Sequence, residues 1–423
     1  MKHLLFWIVA LGSFGFFAYS VSRLIRHLRV GKPDHRLDDI GGRLLRTLRV
    51  AIGQSKLFRE PGPGMMHALI FWGFLVLLTA VVEALLEGLV PGFSFAHIVP
   101  DGLFRVIAFS QDLFGAGVIV GVLWAMIRRV IVRPKRLAVG WHGTVDALAI
   151  LAVIGLIMVT MFGQNAVRLH VDQAHLSGAR FVSASFAGLF AGMPVESLAP
   201  WFDGFWWVHI VLVLAFLNYL PYSKHLHVLT SIPNVFLSKT TPRGALKSID
   251  LEAEGVEKFG AADVEDLTWK QLLDGYTCTE CGRCSDVCPA HITGKLLSPR
   301  KIIVDIRHRL EERGPGVAAP GETPAHVGQP LVHGYITPEE LFACTTCMAC
   351  VQECPVNIEH VDAIVEMRRN LVLMESNFPP EVQTVFRNLE NNFTPWAFPA
   401  STRADWSNGL DIPRMADRPE IDV

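Results

Sequence analysis

The sequence predicts an all-α protein in two parts: a bundle of five transmembrane helices, then a mainly helical domain that holds every cysteine. Three observations lead there. Of 423 residues 51% are apolar, and the long apolar runs all lie in the first half of the chain. Only 18% are charged, and the net charge of -2 averages a basic first part against an acidic second one. All eight cysteines fall between positions 278 and 354, in one spacing written twice. A water-soluble enzyme does not bear this much apolar sequence. The expected boundaries are 1–237 for the membrane part, 238–266 for a polar linker, 267–375 for the cysteine domain and 376–423 for an extension.

Five segments reach the roughly 20 mainly apolar residues that cross a bilayer: 4–21, 67–86, 103–126, 145–162 and 205–220. Lys2 and His3 give the first run the outline of a secretory signal. The dense basic residues behind it, Arg23, Arg26, Arg29, Lys32 and Arg36 among them, mark it instead as an anchor with that side inside. The loop after the third span carries Arg128, Arg129, Arg133, Lys135 and Arg136. The 87–103 loop has no lysine or arginine, and the 164–203 loop has only Arg168 and Arg180. The expectation is a multi-pass protein of the bacterial cytoplasmic membrane, with its N-terminus outside and the cysteine domain in the cytoplasm. Basic residues beside apolar spans serve lipid, so nucleic acid is excluded as a partner.

Between the first two spans, residues 36–57 read as a basic amphipathic helix with Leu44, Leu45, Leu48 and Ile52 on one side, suited to an anionic lipid surface. Gly115, Gly117 and Gly121 mimic part of a dinucleotide fingerprint. They lie inside the third span with no strand before them, so close helix packing explains them.

The cysteine pattern is specific. Cys278-Thr-Glu-Cys281-Gly-Arg-Cys284-Ser-Asp-Val-Cys288-Pro289 is matched by Cys344-Thr-Thr-Cys347-Met-Ala-Cys350-Val-Gln-Glu-Cys354-Pro355. This C-x2-C-x2-C-x3-C-P run is the ligation pattern of two-cluster ferredoxins, in which the fourth cysteine reaches the other cluster. The expected [4Fe-4S] sets are Cys278, Cys281, Cys284 with Cys354, and Cys344, Cys347, Cys350 with Cys288. Structural zinc needs four ligands, usually as two spaced pairs, and does not account for the run. Thiolates kept for clusters belong in a reducing compartment. Around the motifs, a helix over 267–273 leads into Cys278. Ser298-Pro299 caps and starts a helix to about 313, followed by a glycine- and proline-rich loop to about 330. Thr337-Pro338-Glu339-Glu340 starts a short helix that delivers Cys344. The ferredoxin-like domain is therefore expected in a helical frame.

Histidine inside a span is expensive and marks function. His67 opens the second span, His209 lies early in the fifth, and His225 and His227 stand at the fifth span's inner end. Imidazole is a common axial ligand of haem iron, and bundles build such sites between facing helices. His67 and His227 match in depth and suit one haem b. His209, ~27 Å further along a straight helix, falls near the outer face, at the level of Glu83 and Asp112. That trio suits a quinone or proton site, or His209 alone a second haem.

Residues 60–237 resemble the five-span, haem b-binding gamma subunit of respiratory nitrate reductases. Pro221-Tyr-Ser-Lys224-His-Leu-His227 with His209 upstream matches that family's span-five histidine pair, and His67 its first span-two histidine. Leu77 stands where the family has the second. Residues 267–375 resemble the iron–sulfur part of heterodisulfide reductase-like proteins, in Thr268-Trp-Lys-Gln-Leu-Leu, Cys278-Thr-Glu-Cys-Gly-Arg-Cys and Leu297-Ser-Pro. The fusion most resembles the membrane-bound electron transfer flavoprotein:quinone oxidoreductases of bacteria. The resemblance implies a quinone-linked enzyme, in which a soluble electron transfer flavoprotein supplies electrons that pass through the clusters and haem b to a membrane quinone. In that family cysteine-rich CCG domains follow. No cysteine follows Cys354 here, so a CCG part is expected to be cut off, on a separate subunit or absent. The other reading is an electron-conduit subunit of a heterodisulfide reductase-like or other complex, oxidising quinol for a partner.

Overall fold

Five apolar segments fold as helices because lipid offers no hydrogen bonds, and a helix satisfies its backbone within itself. The computed structural model describes residues 2–137, 140–171, 173–242, 244–316 and 328–412. Five of its helices are long and apolar enough to cross a membrane: α1 (Lys2–Leu28), α3 (Pro61–Leu89), α4 (Asp101–Ile127), α5 (Gly140–Val171) and α7 (Ala199–Tyr219), with the short α2 (Ile40–Thr47) and α6 (Phe181–Ala187) between them. Each is longer than its apolar run, since helices continue until a cap or turn stops them, not where hydropathy falls. In α1 the surplus carries Arg23, Arg26 and His27.

α3 pairs with α4, α5 pairs with α4 and α7, and α1 lies across α3 and α7. Small residues allow the close approaches. A Cβ on Gly73 would lie 2.2 Å from Val118, one on Gly121 2.9 Å from Ile70, and one on Gly115 2.8 Å from Met161. The glycines of the third span thus serve packing. Leu4, Ile8, Leu11, Val106 and Leu123 stay exposed on the bundle, as lipid-facing side chains would.

The cysteine domain is helical, with no strand among the described residues. After α8 (His227–Phe236) come α9 (Trp269–Thr277), α10 (Arg283–Asp286), α11 (Pro289–Ile292), α12 (Pro299–Arg313), α13 (Pro338–Phe342), α14 (Ala349–Glu353), α15 (His360–Leu373) and α16 (Pro380–Asn392). Thr268 with Gln271, and Thr337 with Glu340, form capping boxes at α9 and α13, and Ser298 caps α12. Such caps contribute about 1 kcal/mol each. α9 runs on through Thr277, beyond its expected end at 273. The expected loop to 330 and the C-terminal extension lie partly outside the described residues, at 317–327 and from 413.

Leu272, Tyr276, Ile302, Ile306, Ile364 and Met367 form one core, together with Ala261 and Val264 from the stretch expected as linker. Leu24 and Leu226 from the membrane half belong to the same core. The two halves are therefore packed together rather than tethered. Lys32 N donates to Leu267 O at 2.8 Å, and Trp269 N to Lys32 O at 3.0 Å. His27 Nδ1 and the Tyr276 hydroxyl lie 2.8 Å apart.

The 36–57 segment departs from one continuous amphipathic helix. α2 is followed by a wide turn over Leu48–Ile52. Its polar side is the buried one: Arg43 donates to Phe236 O (3.0 Å) and Ser238 O (2.7 Å), while Leu44, Leu45 and Leu48 face outward. This inversion suits a helix with protein on one side and lipid on the other.

The domain encloses a buried charge network. Lys270, fully buried, donates to Asp274 at 2.8 Å, and Arg36 forks onto both Glu359 oxygens at 2.9 Å. Asn234 also donates to Asp274, at 2.9 Å. Burial pushes the Asp274 carboxyl up; burial also opposes charge on Glu359, but Lys270 and Arg36 outweigh it and hold that carboxyl below its usual range. Lys270→Met is expected to destabilise the domain by about 3–5 kcal/mol, because it strands buried carboxylates. Thermal unfolding followed by tryptophan fluorescence checks this.

Candidate functional site

Each cysteine motif is a tight loop between a helix end and a short helix. Glu280 and Gly282 in the first, and Thr346 and Met348 at the matching places of the second, take left-handed backbone conformations. This curls each loop around its own cysteines. A Cβ on Gly282 would stand 2.7 Å from Arg136 O. The first motif thus presses against the loop after α4, an approach that glycine permits.

All eight cysteines are free thiols. Cys278, Cys281, Cys284 and Cys354 line one cavity with Arg283 and His360. Cys354 belongs to the second motif, so the cavity is built from both. Cys350 in turn lies within electrostatic reach of Cys344, Cys347 and Cys288, the last from the first motif. Cys284 and Cys350 pack together with Val361, so the two groups share a wall. Cys347 is exposed, whereas Cys278, Cys284, Cys288, Cys350 and Cys354 are buried.

The donor set fits iron–sulfur clusters. Burial pushes the Cys278 thiol up to about 11, and those of Cys350 and Cys354 up to about 12. Such thiols become thiolates only where metal charge replaces the proton. Backbone N–H groups already point at sulfur: Thr346 N is 3.4 Å from Cys344 Sγ, and Ile358 N is 3.4 Å from Cys354 Sγ. Four thiols spaced around one cavity suit a multi-iron group. One arginine serves each motif: Arg307 donates to Cys278 O at 3.1 Å, and Arg368 to Cys344 O.

At the end of the bundle that meets this domain stand three imidazoles. The His225 and His227 rings are 5.2 Å apart, and His67 lies within electrostatic reach of both. Lys224 O accepts from His227 Nδ1 at 2.9 Å, and Gln54 Oε1 lies 3.3 Å from His67 Nδ1. Both contacts favour a proton on Nδ1 and a bare Nε2, the arrangement of a metal-ligating histidine. His225 Nδ1 is buried without a hydrogen-bond partner.

His209 sits elsewhere. It lies at the middle of α7, because that helix starts at Ala199, ahead of the expected 205, and ends at Tyr219 before the chain turns toward His227. A straight extrapolation across that turn overstates its depth. Its Nδ1 is 3.1 Å from Ile157 O and 3.0 Å from Thr160 Oγ1. Leu77 packs with Ile157, Met161 and Phe162. Glu83 and Asp112 are not brought to His209. Glu83 accepts from Ser94 Oγ and Phe95 N, both at 2.9 Å, and Asp112 accepts from the backbone of Val182 (2.5 Å) and Ser183 (3.1 Å). Both carboxylates hold connecting segments in place.

Sequence reasoning missed the 54–60 loop. Lys56 donates to Cys354 O at 2.9 Å, Arg59 to Gln352 O at 3.1 Å, and Arg283 reaches back to the carbonyls of Lys56 (2.8 Å) and Leu57 (3.1 Å). Lys224 pairs with Glu280 at 3.4 Å. Several cations read as topology signals thus also grip the cysteine domain. An arginine inside the first motif was the available clue.

Residues 277–358 match the family model of a 4Fe-4S dicluster domain. The chain is 31% identical over 431 residues to the probable iron-sulfur-binding oxidoreductase FadF of Bacillus subtilis, covering 95% of this chain and 60% of that one. It is 29% identical over 410 residues to the EtfAB:quinone oxidoreductase of Syntrophomonas wolfei, covering 90% and 56%. A probable membrane-anchored ferredoxin of Chromohalobacter salexigens is 40% identical over 192 residues, covering 42% of this chain and 28% of that protein. The chain thus spans less than two thirds of these relatives' length. No solved structure matches. The chain is thus similar to iron–sulfur oxidoreductases, carries a 4Fe-4S dicluster domain, and has five described helices long and apolar enough to cross a membrane.

Proposed function

We propose that this homologue of membrane iron–sulfur oxidoreductases carries electrons from a soluble donor to a membrane quinone. One relative is an EtfAB:quinone oxidoreductase, which supports an electron transfer flavoprotein as the donor here. Cys278, Cys281, Cys284 and Cys354 would hold one [4Fe-4S] cluster, and Cys344, Cys347, Cys350 and Cys288 the other. His67 and His227 would hold haem b through Nε2. These groups supply one-electron chemistry; the chain supplies spacing, burial and hydrogen bonds to their ligands.

The observation that carries this reading is contiguity. Exposed Cys347 offers an edge to a partner, Cys284 and Cys350 join the two sets, and Arg283 of the first motif lies within electrostatic reach of His67. The basic loops on that side of the bundle support a cytoplasmic iron–sulfur domain. The purified protein should hold two clusters and one haem b per chain by iron, sulfide and pyridine haemochrome analysis. It should also reduce a quinone analogue when given reduced flavoprotein. Clusters without haem would sink the route to the membrane.

His209 is assigned to a quinone or proton site rather than a second haem. Its Nδ1 contacts leave Nε2 available, and Trp206, one turn away and fully buried, has an Nε1–H without an acceptor. His209→Ala should leave the haem count unchanged and slow quinone reduction by roughly 10²-fold or more, as loss of a positioned proton-transfer group does. Two haems in the unmodified protein, falling to one in the variant, would overturn this assignment.

A further inference from the structure

The 54–60 loop touches both candidate centres. At one end Gln54, 1% exposed and with φ 51, lies against His67 Nδ1. Further on, Lys56 and Arg59 hold the backbone around Cys354, and Glu60 is 3.2 Å from Arg283 Nε. Arg283 is 5% exposed and sits between Cys281 and Cys284. Its guanidinium makes two hydrogen bonds to the loop, at the carbonyls of Lys56 and Leu57, and one ion pair, with the carboxylate of Glu60. A Cβ on Gly64 would lie 2.8 Å from Leu57 O, so the loop also packs tightly on the first turn of α3, the helix of His67. A flexible lysine at position 283 could not span two carbonyls and a carboxylate at once; the planar fork can.

We propose that Arg283, locked onto the 54–60 loop, holds the first iron–sulfur set in register with His67 and so sets the rate at which electrons enter the membrane bundle. This rests on the cofactor assignment above. One electron would pass from the set held by Cys278, Cys281, Cys284 and Cys354, oxidising it, to a ferric haem held by His67, reducing it, and no bond or proton would move. Arg283 touches neither reacting centre in this role; it is a positioning residue. Electron tunnelling falls exponentially with distance, so a small displacement of the motif suffices to slow it.

The test uses the whole protein in detergent, mixed with reduced methyl viologen, with haem reduction followed in the visible spectrum. Cys281→Ala, lacking an intact first set, gives the rate of direct haem reduction. Arg283→Ala should keep its iron, sulfide and haem, with unshifted cluster EPR, while haem reduction slows by about tenfold or more toward that baseline. Arg283→Lys should fall between. Glu60→Gln leaves the cysteine motif untouched, should slow the reaction in the same direction, and decides the matter where Arg283→Ala sheds its clusters. Full cofactor content with unmodified rates in these variants would overturn the bridge while leaving the functional reading intact. A protein with clusters and no haem would overturn both.

Discussion

Cys288→Ala is expected to damage the cluster of Cys344, Cys347 and Cys350 and to spare the one beside its own motif. In two-cluster ferredoxins the fourth cysteine of each run serves the opposite set, and the same is proposed here. Cys354 lines the first motif's cavity, and Cys288 is a charge neighbour of Cys344 and Cys350. Losing one thiolate ligand should remove up to about half the iron, as one of two cubanes. EPR of the reduced variant should lose or alter one signal only. The mirror variant, Cys354→Ala, should affect the other. If Cys288→Ala removes the signal that depends on Cys278 and Cys281, the crossed assignment is wrong.

An effect as large is expected at the imidazoles. His227→Ala and His67→Ala should each abolish the reduced haem b absorbance while the iron–sulfur EPR persists. Each would leave the iron with one protein ligand where two are proposed. The cysteine motifs and the imidazoles lie in separate parts of the chain, so the clusters are expected to assemble without the haem. Reduced-minus-oxidised spectra of membranes settle the point without purification. Full haem retention in both variants would move attention to His225, whose buried Nδ1 lacks a partner.

The loops that hold the cysteines were legible because their signals are local. The helix starts at Thr268, Ser298 and Thr337 depend on side chains within three residues, and each is a cap in the structure. Apolar runs likewise located the spans, but not their ends. The surplus turns of α1 hold Arg23 and His27, which hydropathy rejects, and His27 is buried against Tyr276 of the cysteine domain. Glu83 and Asp112 illustrate the opposite failure. A carboxylate in a span invites a functional reading, yet backbone N–H groups from connecting segments account for both.

The sequence by itself determined the all-helical class, the five apolar helices and the duplicated cysteine motif. These follow from composition, periodicity and spacing along a few residues. Only the tertiary structure decided that the two halves share one core, that α2 turns its arginines inward and its leucines out, and that His209 stands mid-helix with neither carboxylate beside it. It alone revealed the 54–60 loop lying between Arg283 and His67. The physical reason is range: a cap or a thiolate loop is specified by neighbours in the chain, whereas an arginine fork onto two distant carbonyls exists only once packing has brought them within 3 Å or so.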